Sequence, residues 1–174
     1  MEFALRELSK EDLPKINQWR NDKELIDLLG NNFHYIGAAV DEQWYNDYLK
    51  NRGTNVRLAI IDESNQRFIG TTQLTGIHSI NRSAEFSIMI GDRQYWSKGA
   101  GLFATKAIVG HGFQALNLNR IHLTVLEYNQ RAIQLYLKAG FKQEGILREA
   151  IFKNGTFQNL IAMSLLKKDL NTST

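Results

Sequence analysis

Cysteine is absent from the chain and proline occurs once. Without cysteine there is no disulfide framework, no thiolate nucleophile, no Cys-ligated zinc and no iron–sulfur cluster. A single proline excludes Pro-rich linkers. No apolar run approaches the ~20 residues that a membrane helix needs. The opening Met1-Glu-Phe-Ala-Leu-Arg-Glu lacks the basic start and apolar stretch of a secretion signal. A cytoplasmic protein with no membrane partner is therefore expected. Nor is there a marked excess of one charge. Lys plus Arg number 21 and Asp plus Glu 18, a formal charge of +3, which is too mild to indicate a nucleic-acid partner. Gly-Lys-Ser/Thr and Gly-x-Ser-x-Gly are both missing, which removes a Walker loop and a serine-hydrolase elbow. The four histidines, His34, His78, His111 and His122, do not pair at metal-ligand spacing, so no metal is expected.

What is present is an ordinary globular mix, 43% hydrophobic and 22% charged over 174 residues. That length suits one domain, and no break in composition divides residues 1–174. Residues 1–58 hold 8 basic and 10 acidic side chains, whereas residues 59–174 hold 13 and 8. The positive second part suits an anionic ligand such as a nucleotide.

Hydrophobic period predicts the elements. Phe3 to Leu8 alternates as a strand. Ser9 with Asp12 forms a capping pattern, Pro14 falls in the first helical turn, and Leu13, Ile16, Trp19 and Leu25 give one apolar face. A second helix is expected over Asp41–Arg52, with Trp44, Tyr45, Tyr48 and Leu49 inward and Gly53 as its stop. Val56–Asp62 and Arg67–Leu74 read as a hairpin, and Ala84–Ile90 as a third antiparallel strand. Gly99–Leu116 has helical spacing, with Phe103, Ala107, Val109 and Phe113 on one face. Ile121–Leu126 is a strand, and Asn129–Ala139 a helix closed by Gly140. Phe141–Phe152 and Thr156–Leu166 are strands joined at Lys153-Asn-Gly, a hairpin-turn signal. The fold class is α/β (α+β), with a mixed, mostly antiparallel sheet flanked by helices.

The segment Trp96-Ser-Lys-Gly99-Ala-Gly101-Leu-Phe-Ala104 follows a strand and opens a helix. Glycines there let backbone N–H groups face an anion where the helix dipole favours negative charge, and Lys98 adds a cation. Gly99-x-Gly101-x-x-Ala104 matches the dinucleotide fingerprint only formally. That fingerprint needs a parallel βαβ unit and an acid about 20 residues on. Here residues 119 and 120 are Asn and Arg, and the preceding strands are antiparallel hairpins.

These residues resemble the GNAT superfamily of acetyl-CoA-dependent N-acetyltransferases, in its RimJ/RimL-type and spermidine N-acetyltransferase-like branch. The family's Gln/Arg-x-x-Gly-x-Gly/Ala loop stands here as Trp96-Ser-Lys-Gly99-Ala-Gly101. A second block stands as Asn129-Gln-Arg-Ala132-Ile-Gln-Leu135-Tyr136-Leu-Lys-Ala-Gly140-Phe141. The resemblance covers nearly the whole chain and implies a cofactor cleft between two splayed central strands. It implies that Ile88, Met89 and Ile90 face the pantetheine and thioester. Trp96, Ser97, Lys98, Gly99, Ala100 and Gly101 would supply N–H groups to the pyrophosphate. Asn129 would contact the pantetheine arm and Tyr136 would sit beside the sulfur. Trp96 departs from the usual Gln or Arg, which removes an auxiliary polar contact.

In this reaction class a neutral amine attacks the thioester directly. An alkyl ammonium has pKa ~10, so the free amine costs roughly 4 kcal/mol at pH 7. Glu85 is the candidate base, acting directly or through water, and Tyr136 the candidate general acid. Backbone N–H near Met89 or Ile90 is the expected oxyanion donor. The spermidine-type resemblance is visible in Arg82-Ser-Ala-Glu-Phe and in Phe152-Lys-Asn-Gly-Thr-Phe-Gln-Asn. Yet a polycation should need carboxylates, and residues 30–40 contain none. A small-molecule amine such as an amino sugar is therefore the expected acceptor. A peptide N-terminus and a polyamine are the alternatives, with Phe33, Tyr35, Trp44 and Tyr45 as a candidate aromatic wall. A non-catalytic acyl-CoA-binding module is the competing reading of another class, and a homodimer is compatible with all of them.

Overall fold

The computed structural model describes residues 2–172. Period-two alternation becomes a single seven-stranded sheet in the order β1-β2-β3-β4-β5-β7-β6. Its strands are β1 (Phe3–Glu7), β2 (Val56–Asp62), β3 (Arg67–His78), β4 (Ser83–Ile90), β5 (Arg120–Leu126), β6 (Lys142–Lys153) and β7 (Thr156–Leu166). Each neighbouring pair is antiparallel except β4 with β5. Those two run parallel and are paired only at Ser83–Arg120, Ala84–Ile121 and Glu85–His122. Beyond Glu85 they part, so the edge of β4 facing β5 is open over residues 86–90.

The helices are α1 (Leu13–Arg20), α2 (Lys23–Ile26), α3 (Ala38–Lys50), α4 (Ala100–Gln114) and α5 (Gln130–Lys138). The expected capping pattern forms: Ser9 N–H donates to Asp12 Oδ2 at 2.9 Å. The turn it caps is 3-10 (Lys10–Asp12), and α1 follows. The face expected to run from Leu13 to Leu25 is broken after Arg20. Asp22 starts α2 by accepting from Leu25 N–H at 3.2 Å, a separate N-cap that outcompetes helix continuation. Among the described residues no helix is long and apolar enough to cross a membrane.

Two apolar layers cover the sheet. On one face Ile108 and Phe113 of α4 meet Leu74, Phe86, Ile121, Leu123, Met163 and Leu165. On the other, Ile16 and Trp19 of α1 meet Ala59 and Ile61, with Trp44, Phe68 and Met89 packed against them. Two residues expected inward are not. Leu49 and Phe103 are exposed; Phe103 lies against Phe3 at the rim, ring centroids 6.0 Å apart. The hairpin turn at Lys153 uses left-handed Asn154 and Gly155, as its sequence indicates.

Candidate active site

The parting of β4 and β5 opens a cavity of about 1090 Å³ that reaches both faces of the sheet. Its lining brings together Glu85, Ile88, Met89, Ile90, Trp96, Ser97, Gly99, Gly101, Asn129 and Tyr136. Lys98 and Ala100 do not line it: Lys98 holds its ammonium 6.0 Å over the Tyr95 ring, and Ala100 is buried beneath the loop. Of the expected aromatic wall only Trp44 reaches the cavity. Tyr35 is 92% exposed and pairs with Phe33 elsewhere.

The glycine loop is built for close approach. Gly99 caps α4 at φ +92°, a left-handed conformation that costs a side-chain-bearing residue energy. A Cβ on Gly101 would lie 2.6 Å from Leu135 Cδ1, so the end of that α5 side chain would have to turn aside. The first N–H groups of α4 have no intrahelical acceptor and line up at the positive end of the helix dipole. Trp96 fastens the loop to β4, its indole Nε1 donating to Ile90 O at 2.7 Å. Arg131, unremarked in the sequence, lies on the cavity wall with its guanidinium 4.1 Å over the Trp96 ring.

Tyr136 is 8% exposed and held in an aromatic cluster with Phe86 and Phe141, ring centroids 5.9 and 6.0 Å away. Burial pushes its phenol up to about 12. The hydroxyl donates to no described residue. Asn129 caps α5 by accepting from Ala132 N–H at 3.1 Å and donates through Nδ2 to Leu28 O at 2.8 Å. Its amide therefore has protein partners at both ends.

Glu85 is the only carboxylate among the described lining residues and makes no ion pair with any of them. It sits on the face of β4 turned to α1 and α3. Ser87 lies two residues on along the same face, accepting from Gln73 Nε2 at 2.7 Å, and Gln73 Oε1 accepts from Arg57 Nη1. This polar row across β2, β3 and β4 was not visible as a motif, because it joins residues of three strands.

A strap formed by residues 26–31 closes the outer rim. The second half of the chain holds it through backbone carbonyls. Tyr128 Oη donates to Asp27 O at 2.6 Å and Asn129 Nδ2 to Leu28 O. The buried Lys153 ammonium donates to Ile26 O, Leu29 O and Asn31 O at 2.9, 2.9 and 2.6 Å. Its desolvation lowers the Lys153 pKa.

Open N–H groups, a free strand edge and the nearby Arg131 guanidinium fit a pyrophosphate-bearing acyl thioester, and comparison with known proteins agrees. The family described as "Acetyltransferase (GNAT) domain" matches residues 2–142. Spermidine N(1)-acetyltransferase of Vibrio cholerae is 31% identical, covering 99% of this chain and 98% of its own. Its counterpart in Escherichia coli K12 is 32% identical, covering 94% and 85%. The crystal structure of the Vibrio cholerae spermidine N-acetyltransferase with CoA and spermine superposes with a TM-score of 0.91 at 29% identity, covering 98% of each chain. With that likeness extending over the whole described cleft, the chain belongs to the GNAT acetyltransferase family and is an acetyl-CoA-dependent N-acetyltransferase.

Proposed function

We propose that residues 1–174 act as one acetyltransferase domain in which a primary amine attacks the thioester directly, with Glu85 and Tyr136 as the catalytic pair. The observation that carries this is the parting of β4 and β5 immediately after Glu85. It gives one cavity a carboxylate on the α1/α3 side and a buried phenol on the α4/α5 side.

Acetyl-CoA supplies the activated acetyl group. For its binding, the reading assigns the loop from Trp96 to Gly101 to the pyrophosphate. The open edge of Ile88, Met89 and Ile90 is assigned to the pantetheine and the acetyl oxygen. Asn129 acts by holding the start of α5 in place. Glu85, unpaired, accepts the ammonium proton directly or through water, freeing the nucleophile. Tyr136 stays protonated at neutral pH because burial disfavours its anion. Passing its proton fully to a thiolate of pKa ~8.5 would be uphill by roughly 5 kcal/mol. Its part is therefore a hydrogen bond to the departing sulfur. The proton that the nitrogen sheds on becoming an amide then neutralises that sulfur.

On the acceptor, similarity supports a polyamine. The Vibrio cholerae relative matched along nearly its whole length is a spermidine acetyltransferase, which outweighs the amino sugar expected from the sequence. A second reading, an amine that also carries an anionic group, is favoured by one observation: Arg57 lines the acceptor side with no described carboxylate paired to it. The test is free-thiol release from acetyl-CoA across polyamines, amino sugars and N-terminal peptides, with Tyr136→Phe alongside. Acceptor-dependent release that collapses in the variant is the expected result. A thermal shift with acetyl-CoA but no release with any amine would instead favour a non-catalytic acyl-CoA-binding module.

A further inference from the structure

We propose that Arg57 is an anion subsite on the acceptor side of the cleft, and that the acceptor is a primary amine whose molecule also carries a phosphate or carboxylate group. The inference rests on the acetyltransferase reading of the cavity and develops its second acceptor reading against the polyamine.

Charge pairing on the α1/α3 side leaves Arg57 over. Arg20 and Arg57 flank Trp44, with guanidinium carbons 5.7 and 4.6 Å from its ring centroid. Arg20 is neutralised by the buried Asp41, which also accepts from Asn17 Nδ2 at 2.6 Å. Glu7, another nearby carboxylate, is engaged by Arg52 at 2.7 Å and by the Tyr48 hydroxyl at 2.8 Å. No described carboxylate pairs with Arg57. Its Nη1 donates to Gln73, its Nε is buried without an acceptor, and the side chain lines the cavity. Isolated charge taken from water is costly unless a counter-charge meets it.

The arrangement is also fixed in advance. Stacking on Trp44 and the bond to Gln73 hold the guanidinium plane, and Gln73 is itself held by Ser87. Nη2, with no hydrogen-bond partner among the described residues, and the second Nη1 proton remain to meet a carboxylate or phosphate edge. Arg57 and Ser87 are two strands apart, about 10 Å between backbones, and Glu85 lies next along the face beyond Ser87. One compact molecule can thus place an anionic group at Arg57 and its amine at Glu85. A polyamine has no group for Arg57. It would bring further positive charge to a lining in which Glu85 is the only described carboxylate.

The test compares acceptors that differ in the anionic group alone. Glucosamine is set against glucosamine 6-phosphate, an amino-acid amide against the free amino acid, and spermidine against both sets. Thiol release gives kcat/KM, and calorimetry with the CoA-bound enzyme gives the Kd of each amine. The expected result is at least a tenfold preference for an anionic member over its neutral partner. Arg57→Gln should then raise the KM and Kd of that acceptor on the order of thirtyfold or more, with the KM for acetyl-CoA as the internal reference. Arg57→Lys, which keeps the charge without the fork, should fall between. The preferred pair says whether phosphate or carboxylate is the natural group. The proposal is overturned if spermidine is the best acceptor in the wild type, or if neither anionic set is preferred. It is also overturned if Arg57→Gln, folded by its melting temperature, leaves the anionic preference intact. Anion-dependent binding without thiol release would keep the subsite and reject the transferase roles of Glu85 and Tyr136.

Discussion

Glu85 and His122 face each other at the last point where β4 and β5 are paired. One residue further along, the two strands separate and the cavity begins. A carboxylate at that apex can reach an amine entering from the α1/α3 side while its backbone remains locked in the sheet.

Replacing Glu85 by Gln removes the proposed proton acceptor and keeps the shape. At pH 7 kcat/KM should fall about a hundredfold. The deficit should shrink as pH approaches the amine's own pKa of ~10, since the amine then deprotonates unaided. A pH profile of both enzymes checks this; a deficit constant across pH would assign Glu85 to binding instead.

Tyr136→Phe deletes one hydroxyl from an otherwise apolar cluster. Stability should be little changed, because the hydroxyl donates to no described residue. The value of kcat should drop 10²-fold or so, with Kd for acetyl-CoA within a few-fold of wild type. Since burial holds the phenol near 12, Tyr136 should add no ionisation to the wild-type profile below about pH 10.

The glycine loop can be tested at two positions with different failures. Gly99→Ala strains a left-handed residue, costing ~1–2 kcal/mol and disturbing the first N–H groups of α4. Gly101→Val crowds the Leu135 side chain and forces it to repack between α4 and α5. Both should raise the KM for acetyl-CoA, and Gly101→Val should also lower the melting temperature.

Lys153→Met keeps the aliphatic stem and removes three donors from the strap. Leu29 O and Asn31 O lose their donor while Ile26 O keeps Leu29 N–H at 3.0 Å, which should destabilise the fold by about 2 kcal/mol. Hydrogen exchange at residues 26–32 should rise, and acceptor KM should rise more than kcat falls.

Acid should weaken the β5–β7–β6 edge of the sheet. Arg120 donates to Glu144 at 2.6 Å and Ser164 Oγ donates to the same carboxylate at 2.7 Å. These bonds hold the Glu144 carboxyl down to about 2 from an ordinary 4.5. A depressed carboxylate stabilises the fold above its unfolded pKa and loses that contribution as pH falls through the folded one. The window is thus pH 5 to 2. The pair is partly exposed, so ~1 kcal/mol is the discounted scale. Glu144→Gln should flatten the acid limb of the melting temperature over that window.

The elements that were legible carry their signal within a few residues. Gly140 ends α5 at φ +99°, and Asn154-Gly155 turns β6 into β7, because left-handed backbone selects those residue types. The glycine loop was legible for the same reason. Phe103 and Leu49 were misplaced because a helix face is defined by what packs against it, not by period alone. The break between Trp19 and Leu25 turned on one side-chain cap from Asp22. Arg57 could not be singled out, since its surplus charge appears only when Asp41 and Glu7, in distant segments, are seen to be taken by other arginines. Lys153 likewise looked like part of a turn signal until the strap folded over it.

The strap and the short β4–β5 pairing together set the cavity's two ends. Three paired residues fix its floor, and donors from Tyr128, Asn129 and Lys153 fix its roof, all reaching from one half of the chain to the other. The two half-sheets therefore behave like facing pages sewn at the spine and clasped at the fore-edge. Such a volume has its width set before any ligand arrives. Little binding energy is diverted into assembling the gap, and selection falls on what can thread it lengthwise rather than on what can prise it open.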